Sequence, residues 1–275
     1  VSATRIHPLA IVEPGAELGS DVEVGPFCHV HPGARIGDRT RLLSHVVVGT
    51  HTTIGSDNQV HPGAVIGGAP QDKTYRGEPT TLVVGNQNVI RESVTISRGT
   101  NKGGGRTVIG DRNMLMACSH IGHDCRIGND IIMANAVLIA GHVEVGDRSV
   151  LAGAVACHHF ARIGRMAYVG GMSRVVHDVP PFTKVAGERV RVRALNLVGL
   201  QRAGVPEPEI DELKRVYNLL FRRKTALSQV LTNVEALPGS LAEELVGFVR
   251  EWTSAPAGRY LEQFRTDRPG PPTSS

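Results

Sequence analysis

Five of the chain's 12 histidines fall between residues 120 and 159: His120, His123, His142, His158 and His159. Imidazole ionises close to neutral pH, so a positioned histidine can act as a general base, contributing roughly 10²- to 10⁴-fold in rate. Asp124 follows His123 and is a carboxylate that could hold its tautomer, although neighbouring side chains on a strand tend to diverge. Gly141 offers space and an unshielded backbone N–H near the same place, which is what an oxyanion site in acyl transfer needs. A Ser or Cys nucleophile is another route to the same chemistry, but Cys118 and Cys125 have no clear activating context.

These residues sit in a frame with a period of six. An aliphatic or similar residue recurs at Ile109, Leu115, Ile121, Ile127, Met133 and Ile139 and onward to Val175. An earlier run goes from Ile6 and Val12 to Ile66, and Val84, Ile90 and Ile96 continue its register. The next beat, Ile109, comes one place later than that register requires, so the phase slips once. Gly often follows the aliphatic residue, as at Gly19, Gly25, Gly37 and Gly122, and a small or β-branched residue often comes four places after it, as at Ala10, Ala34 and Ala64. Six suits neither a helix nor a plain alternating strand; it suits a short strand and a turn, repeated. Each coil then buries its inner face only against its neighbours. Three hexads would close one triangular coil, and residues 18 apart would stack about 4.8 Å from each other. His123, Gly141 and His159 form one such column, and Asp124, His142 and Phe160 the next.

Two polar stretches, 67–83 and 97–107, interrupt the frame, and a solenoid needs neither, so both are expected to carry function. The β-helix is expected over 1–188. Amphipathic helices follow over 189–266, with Ile210, Leu213, Val216 and Leu220 at helical spacing, and 267–275 reads as a flexible tail. Residues 189–224 carry nine Lys and Arg against four Asp and Glu, a solvated face or a dock for phosphates and acidic partners. A net charge of +4 is too weak to argue for nucleic acid. No apolar run is long enough to span a membrane, and no apolar signal segment opens the sequence. Cys28, Cys125 and Cys157 occupy small apolar repeat positions and read as buried free thiols of a reducing cytoplasm. No CxxC spacing is present, and no metal ligands are expected.

Longer tracts carry a resemblance. Ile11-Val12-Glu13-Pro14-Gly15-Ala16, Ser44-His45-Val46-Val47-Val48, Ile90-Arg91-Glu92-Ser93-Val94-Thr95-Ile96, Arg98-Gly99-Thr100, His120-Ile121-Gly122-His123-Asp124-Cys125 and Asp178-Val179-Pro180-Pro181 resemble the UDP-N-acetylglucosamine O-acyltransferases that open lipid A biosynthesis, within the hexapeptide-repeat acyltransferase superfamily. The resemblance implies a mainly β fold, a left-handed parallel β-helix followed by a C-terminal α-helical domain. It implies a cytoplasmic homotrimer, with sites between subunits, that moves an (R)-3-hydroxyacyl chain from acyl carrier protein to the glucosamine 3-hydroxyl. No cofactor is implied beyond the phosphopantetheine the donor carries. By the same resemblance His123 is the general base, Asp124 its partner and Gly141 the oxyanion donor. The resemblance makes Asp72, His120, His142, His158, Asn196 and Arg202 substrate contacts and gives Gly171, with Gly153 one coil below, the ruler position for a long acyl chain, of about C14; Lys73 and His159, which do not match the family's residues, are expected to join the substrate contacts.

The chain also departs from that pattern. Lys73 stands one place early, with Thr74 behind it; Ser97 replaces a frequent His, and His159 a frequent Gln; Val198 and Ala203 stand where charge is frequent. These changes leave open a 3-amino sugar nucleotide as acceptor. Three other readings compete. The related N-acyltransferases carry an extra N-terminal uridine-binding domain, for which hexads starting at Ile6 leave no room. Zinc held by three histidines, as in γ-class carbonic anhydrases, would use the imidazoles differently. A purely structural solenoid would not explain the histidines or the loops.

Overall fold

The computed structural model describes residues 3–222 and 225–264; the expected tail, 267–275, lies outside the described residues. The hexad residues Val24, Val30, Ile36 and Leu42 are buried, and each ends a two-residue strand: Glu23–Val24, His29–Val30, Arg35–Ile36 and Arg41–Leu42. The first residue of each strand faces outward, as the pleat requires. Strands one coil apart pair in parallel, Arg5 with Glu23 and Glu23 with Arg41. Among the described residues three sheets of 11, 9 and 8 strands result, here called A, B and C; they begin with Arg5–Ile6, Ile11–Val12 and Glu17–Leu18. They form the three walls of a left-handed β-helix whose shaft is filled by one continuous cluster of Val, Ile and Leu. Each such side chain contributes about 1.5–3 kcal/mol when fully buried, and it is buried only while the coils on either side are in place.

The corners divide their backbone demands between two positions. Left-handed backbone falls three places after the aliphatic residue and is mostly not glycine: φ is 57° at Asp21, 61° at Asp124 and His142, and 62° at Phe160. The N–H of such a residue donates to the coil before it, His142 to the His123 carbonyl at 2.9 Å and Phe160 to the Gly141 carbonyl at 3.2 Å. That bond helps offset the roughly 1–2 kcal/mol a side chain costs in this conformation. The glycine directly after the aliphatic residue answers to a different constraint. A Cβ on Gly25 would lie 1.4 Å from the Leu43 carbonyl oxygen of the next coil, so glycine is required there by close approach.

The two interruptions explain the phase of the repeat. Gln59 pairs with Val89 and Val89 with Met114, so these two coils are longer than their neighbours. The first excess amounts to two whole hexads, which keeps the phase; the second is a hexad and one further place, which shifts it. Strands Val65–Gly68, Thr81–Val84 and Arg106–Ile109 absorb part of the stretches expected as loops, leaving 69–80 and 98–105 outside the strands.

On the edge from sheet C to sheet A, three buried asparagines form an internal ladder. Asn58 Oδ1 accepts from the Asn88 backbone N–H (2.9 Å) and amide (3.0 Å), Asn88 Oδ1 from the Asn113 N–H (2.9 Å), and Asn113 Oδ1 from the Ile131 N–H (2.8 Å).

Past the coils, Thr183–Ala186 pairs antiparallel with Arg191–Leu195. The second of these strands falls where the helical part is expected to begin. Its alternation of Arg191, Val192, Arg193, Ala194 and Leu195 is a strand pattern, which the helical spacing further on obscures. Among the described residues four α-helices follow: α1 (Leu197–Arg202), α2 (Glu207–Phe221), α3 (Leu227–Asn233) and α4 (Leu241–Ser254). Helices α2 and α4 bury Ile210, Leu213 and Val216 against Leu245 and Val249 in a second core. Arg162 ties this part to the last coils. It bonds Asp178 at 3.0 Å and Glu251 at 2.7 Å, with its guanidinium over the rings of Phe248 and Tyr260. Among the described residues no helix is long and apolar enough to cross a membrane.

Candidate active site

Strands Val65–Gly68, Thr95–Ser97 and His120–Ile121 are neighbours in sheet B. After each of them the chain turns the edge into sheet C: first through loop 69–80, then through loop 98–105, then through the tight corner that holds His123. Both excursions therefore leave the prism at the edge where His123 sits, one and two coils before it.

His123 Nδ1 lies 2.8 Å from Asp124 Oδ2. The two side chains converge, against the rule for adjacent strand residues, because Asp124 is the left-handed corner residue. The Asp124 side chain is fully buried. Its carboxylate also accepts from the Thr100 N–H and hydroxyl, both at 2.7 Å, and its own N–H donates to Thr107 Oγ1 at 2.8 Å. Loop 98–105 closes over this carboxylate so tightly that a Cβ on Gly103 would fall 2.0 Å from its carbon. A carboxylate with no donated proton of its own fixes the His123 proton on Nδ1 and leaves the Nε2 lone pair as the base.

The His123 ring lies against Gly141, where a Cβ would come 2.6 Å from Cε1 and 2.7 Å from Nε2. Gly141 therefore makes the space that the imidazole occupies. His142 meets His123 edge-on (5.1 Å, 89°) and stacks on Phe160 (4.4 Å, 7°), so the column expected from the 18-residue spacing is present. His120 points outward from sheet B with Nδ1 2.8 Å from Thr95 Oγ1. Burial, and then the neighbouring His123 charge, push its pKa below the ordinary imidazole value. His158 and His159 are exposed further along the same edge, and His158 Nδ1 donates to the His159 carbonyl at 3.2 Å.

In loop 69–80, Asp72 Oδ1 accepts from the Thr74 N–H (2.7 Å) and hydroxyl (2.8 Å). Those two bonds hold its carboxyl below the usual range, with smaller contributions from the charges of His123 and Lys102. Thr74 therefore braces Asp72, while Lys73 is exposed beside it. Arg98 joins the two loops and was not singled out as a site residue. Its guanidinium donates to the Thr50 and Gly67 carbonyls and to Tyr75 Oη at 3.0 Å. Its place in the tract Arg98-Gly99-Thr100 was the only signal. Thr100 and Thr107, which hold Asp124, were missed in the same way. Ser97 is buried under this junction.

Other expected residues lie on other edges. Asn196 caps α1, accepting from the Gly199 N–H at 3.2 Å, and its amide donates to the Met166 carbonyl at 2.9 Å on the edge from sheet C to sheet A. Arg202, Val198 and Ala203 belong to or end the same helix. Gly171 is at an exposed corner from sheet A to sheet B, where a Cβ would meet the Gly153 carbonyl oxygen at 3.3 Å. Within one chain these residues are not brought to His123.

Two groups among the described residues have the spacing to hold a metal ion: His123, Asp124 and His142, and, far from them, Glu13, His29 and His31. The buried thiols are poor nucleophiles, since burial pushes Cys125 up to about 12 and raises Cys28 and Cys157 as well.

Comparison with known proteins gives the chain's family. Residues 178–257 match the family model described as UDP-N-acetylglucosamine O-acyltransferase, domain 2, and residues 15–50 and 33–68 match the bacterial transferase hexapeptide model. A protein of Rhizobium johnstonii named acyl-acyl-carrier-protein–UDP-N-acetylglucosamine O-acyltransferase is 47% identical over 262 residues, covering 95% of this chain and 91% of the relative. A protein of the same name from Anaeromyxobacter is 49% identical, covering 89% and 95%. The solved UDP-N-acetylglucosamine acyltransferase of Campylobacter jejuni superposes with a TM-score of 0.84 at 37% identity, covering 90% of this chain and 96% of that one. That of Bacteroides fragilis gives 0.85 at 34%, covering 89% and 96%. With this extent of similarity along both the β-helix and the helical part, the chain belongs to the family of acyl-acyl-carrier-protein–UDP-N-acetylglucosamine O-acyltransferases.

Proposed function

We propose that this chain transfers an (R)-3-hydroxyacyl group from acyl carrier protein to the glucosamine 3-hydroxyl of UDP-N-acetylglucosamine, the step that opens lipid A biosynthesis, with His123 as the general base. The observation that carries this reading is the buried Asp124 carboxylate, fixed by Thr100 and Thr107 and bonded to His123 Nδ1. His123 Nε2 takes the proton from the sugar hydroxyl as that oxygen attacks the thioester carbonyl. The resulting oxyanion is met by the Gly141 N–H, which no side chain shields. The C–S bond then breaks, the imidazolium returns its proton to the departing thiolate, and an ester is left on the sugar. The acyl chain arrives on the donor's phosphopantetheine, so the chemistry calls for no resident cofactor.

Asp72, Lys73, His120, His142, His158 and His159 surround the base on one edge and are proposed to hold the sugar nucleotide and the donor. Asn196, Arg202 and Gly171 lie on the other two edges, and this division supports a homotrimer in which a neighbouring chain completes each site. Exposed apolar residues, Ile132 and Leu138 on the sheet walls and Met172 at the corner beside Gly171, suit such packing. The open corner at Gly171 suits a long acyl chain, and the buried free thiols suit the cytoplasm.

The test is mass spectrometry of products when a panel of 3-hydroxyacyl carrier proteins is offered with UDP-N-acetylglucosamine and, separately, with its 3-amino analogue. The expected product is an O-linked ester carrying a long chain. Faster turnover of the amine would replace the hydroxyl acceptor with the amino sugar, and no transfer to either would overturn the reading.

A further inference from the structure

We propose that Glu13, His29 and His31 form a binding site for a divalent transition-metal cation of the zinc type, which clips the first two coils together. His29 and His31 flank Val30, whose side chain is fully buried in the shaft. Because strand side chains alternate, the histidine on each side of Val30 faces outward, and both imidazoles share the outer wall of sheet B. Glu13 lies one coil before His31 in the same column, and its Oε1 meets both rings: His29 Nε2 at 2.5 Å and His31 Nδ1 at 3.1 Å. The two rings are tilted by 31° to each other with centroids 3.9 Å apart. All three ligand atoms fall within 4.8 Å of one another.

Two imidazoles and one carboxylate form a donor set that zinc and its neighbours in the series favour over calcium or magnesium. Tetrahedral zinc with bonds of 2.0–2.1 Å wants ligand atoms about 3.3 Å apart, so Glu13 Oε1, now 2.5 Å from His29 Nε2 and 3.1 Å from His31 Nδ1, needs to draw back from the two rings by less than about 1 Å to admit the ion. About a third of each side chain is exposed, which gives the ion an entry path and leaves a fourth position for water. Gly49 follows His31 by one coil and has no side chain to cover the site.

The position gives the ion a structural task. Among the described residues the first coil packs on one side only, and Ile6, Leu9 and Ile11 are exposed there. A bond from coil one to coil two at this end would resist its fraying, so metal binding and folding are linked. The site is separate from the acyl-transfer edge: strand His29–Val30 lies four strands from His120–Ile121 in sheet B, or about 19 Å at 4.8 Å per strand.

The experiment is a zinc titration of tag-free, metal-stripped protein against a chromophoric chelator, with melting followed at each zinc level. It compares the wild type with Glu13→Gln, with the double variant His29→Asn/His31→Asn, and with His123→Ala, which controls for zinc at the acyl-transfer edge. The expected result is that the double variant loses one bound equivalent and the zinc-dependent rise in Tm, whereas His123→Ala keeps both. Glu13→Gln is expected to weaken the same equivalent at least tenfold. Metal-free acyl transfer by the double variant, and its circular dichroism, are expected to match the wild type. The proposal is overturned if zinc stoichiometry and the Tm shift are the same in the double variant and the wild type, or if the only zinc bound is lost in His123→Ala.

Discussion

Two edges of the prism carry polar residues in the same periodic frame and use them in opposite ways. On the edge from sheet C to sheet A, Asn58, Asn88 and Asn113 come four places after the hexad residue and point inward. Their hydrogen bonds run from coil to coil. On the edge from sheet B to sheet C, His123 and His142 come two and three places after it and project outward. Only the far side of His123, through Asp124, is bonded into the protein. One edge uses polar groups to close the corner; the other holds one nitrogen of an imidazole so that the second can react. The place of a polar residue within the hexad thus separates architecture from chemistry, and substitutions on the two edges should separate in the same way.

The largest effect is expected at the base itself. His123→Ala removes the proton acceptor and should lower kcat by about 10³-fold or more, within the usual range for general-base catalysis. The side chain is outside the hydrophobic shaft, so the melting temperature should stay near that of wild type. Turnover with acyl carrier protein donors, read beside a thermal melt, checks both parts. A folded variant with near-normal turnover would remove His123 from the mechanism.

Asp124→Asn should be the next most severe, at about 10²-fold in kcat. An amide in this place offers hydrogens to His123 Nδ1, which favours a proton on Nε2 and so blocks the base. Thr100→Val gives the finer comparison. It deletes one of the bonds holding the carboxylate and leaves the tautomer as it is, so its loss should be only several-fold. Equal losses in the two variants would mean that Asp124 acts through loop packing alone.

Gly141→Ala follows, with an expected loss of about 10- to 10²-fold in kcat. The added methyl would stand 2.6 Å from His123 Cε1, and the ring must swing away from it. Misplacement by about 1 Å near the reacting atoms is enough for losses of this size. A crystal structure of the variant with an unmoved imidazole and undiminished kcat would show that the glycine serves neither the ring nor the oxyanion.

Much of this is legible in the sequence because the frame is regular. Six-residue spacing identifies the shaft residues from Val12 to Val175, and the 18-residue stacking rule places His142 against Phe160. What is not legible has physical causes. Thr100 reaches Asp124 from loop 98–105, which has no period to locate it. Asn196 lies past the last coil, so no count of hexads could assign it to an edge. Strand Arg191–Leu195 is short and faces a long helical signal downstream. The stacking of Glu13 with His31 does follow the 18-residue rule, but the imidazoles near His123 draw the chemical reading away from it.

The smallest effect on turnover belongs to the other edge, and it tests the comparison from that side. Asn88→Val should leave kcat unchanged while costing about 2–3 kcal/mol of stability. Asn88 Oδ1 accepts the Asn113 N–H, and its amide supplies one of the bonds to Asn58 Oδ1. Valine fills a similar volume but strands the buried Asn113 N–H, whose unmet bond accounts for most of the loss. Equilibrium denaturation alongside kcat per folded enzyme makes the measurement. Because a solenoid's coils support one another, a weakened rung here also loosens the coil that holds His123 above it. If kcat fell at temperatures well below the melt, the two edges would be coupled through the shaft, and the separation by hexad position would hold for contacts but not for energies.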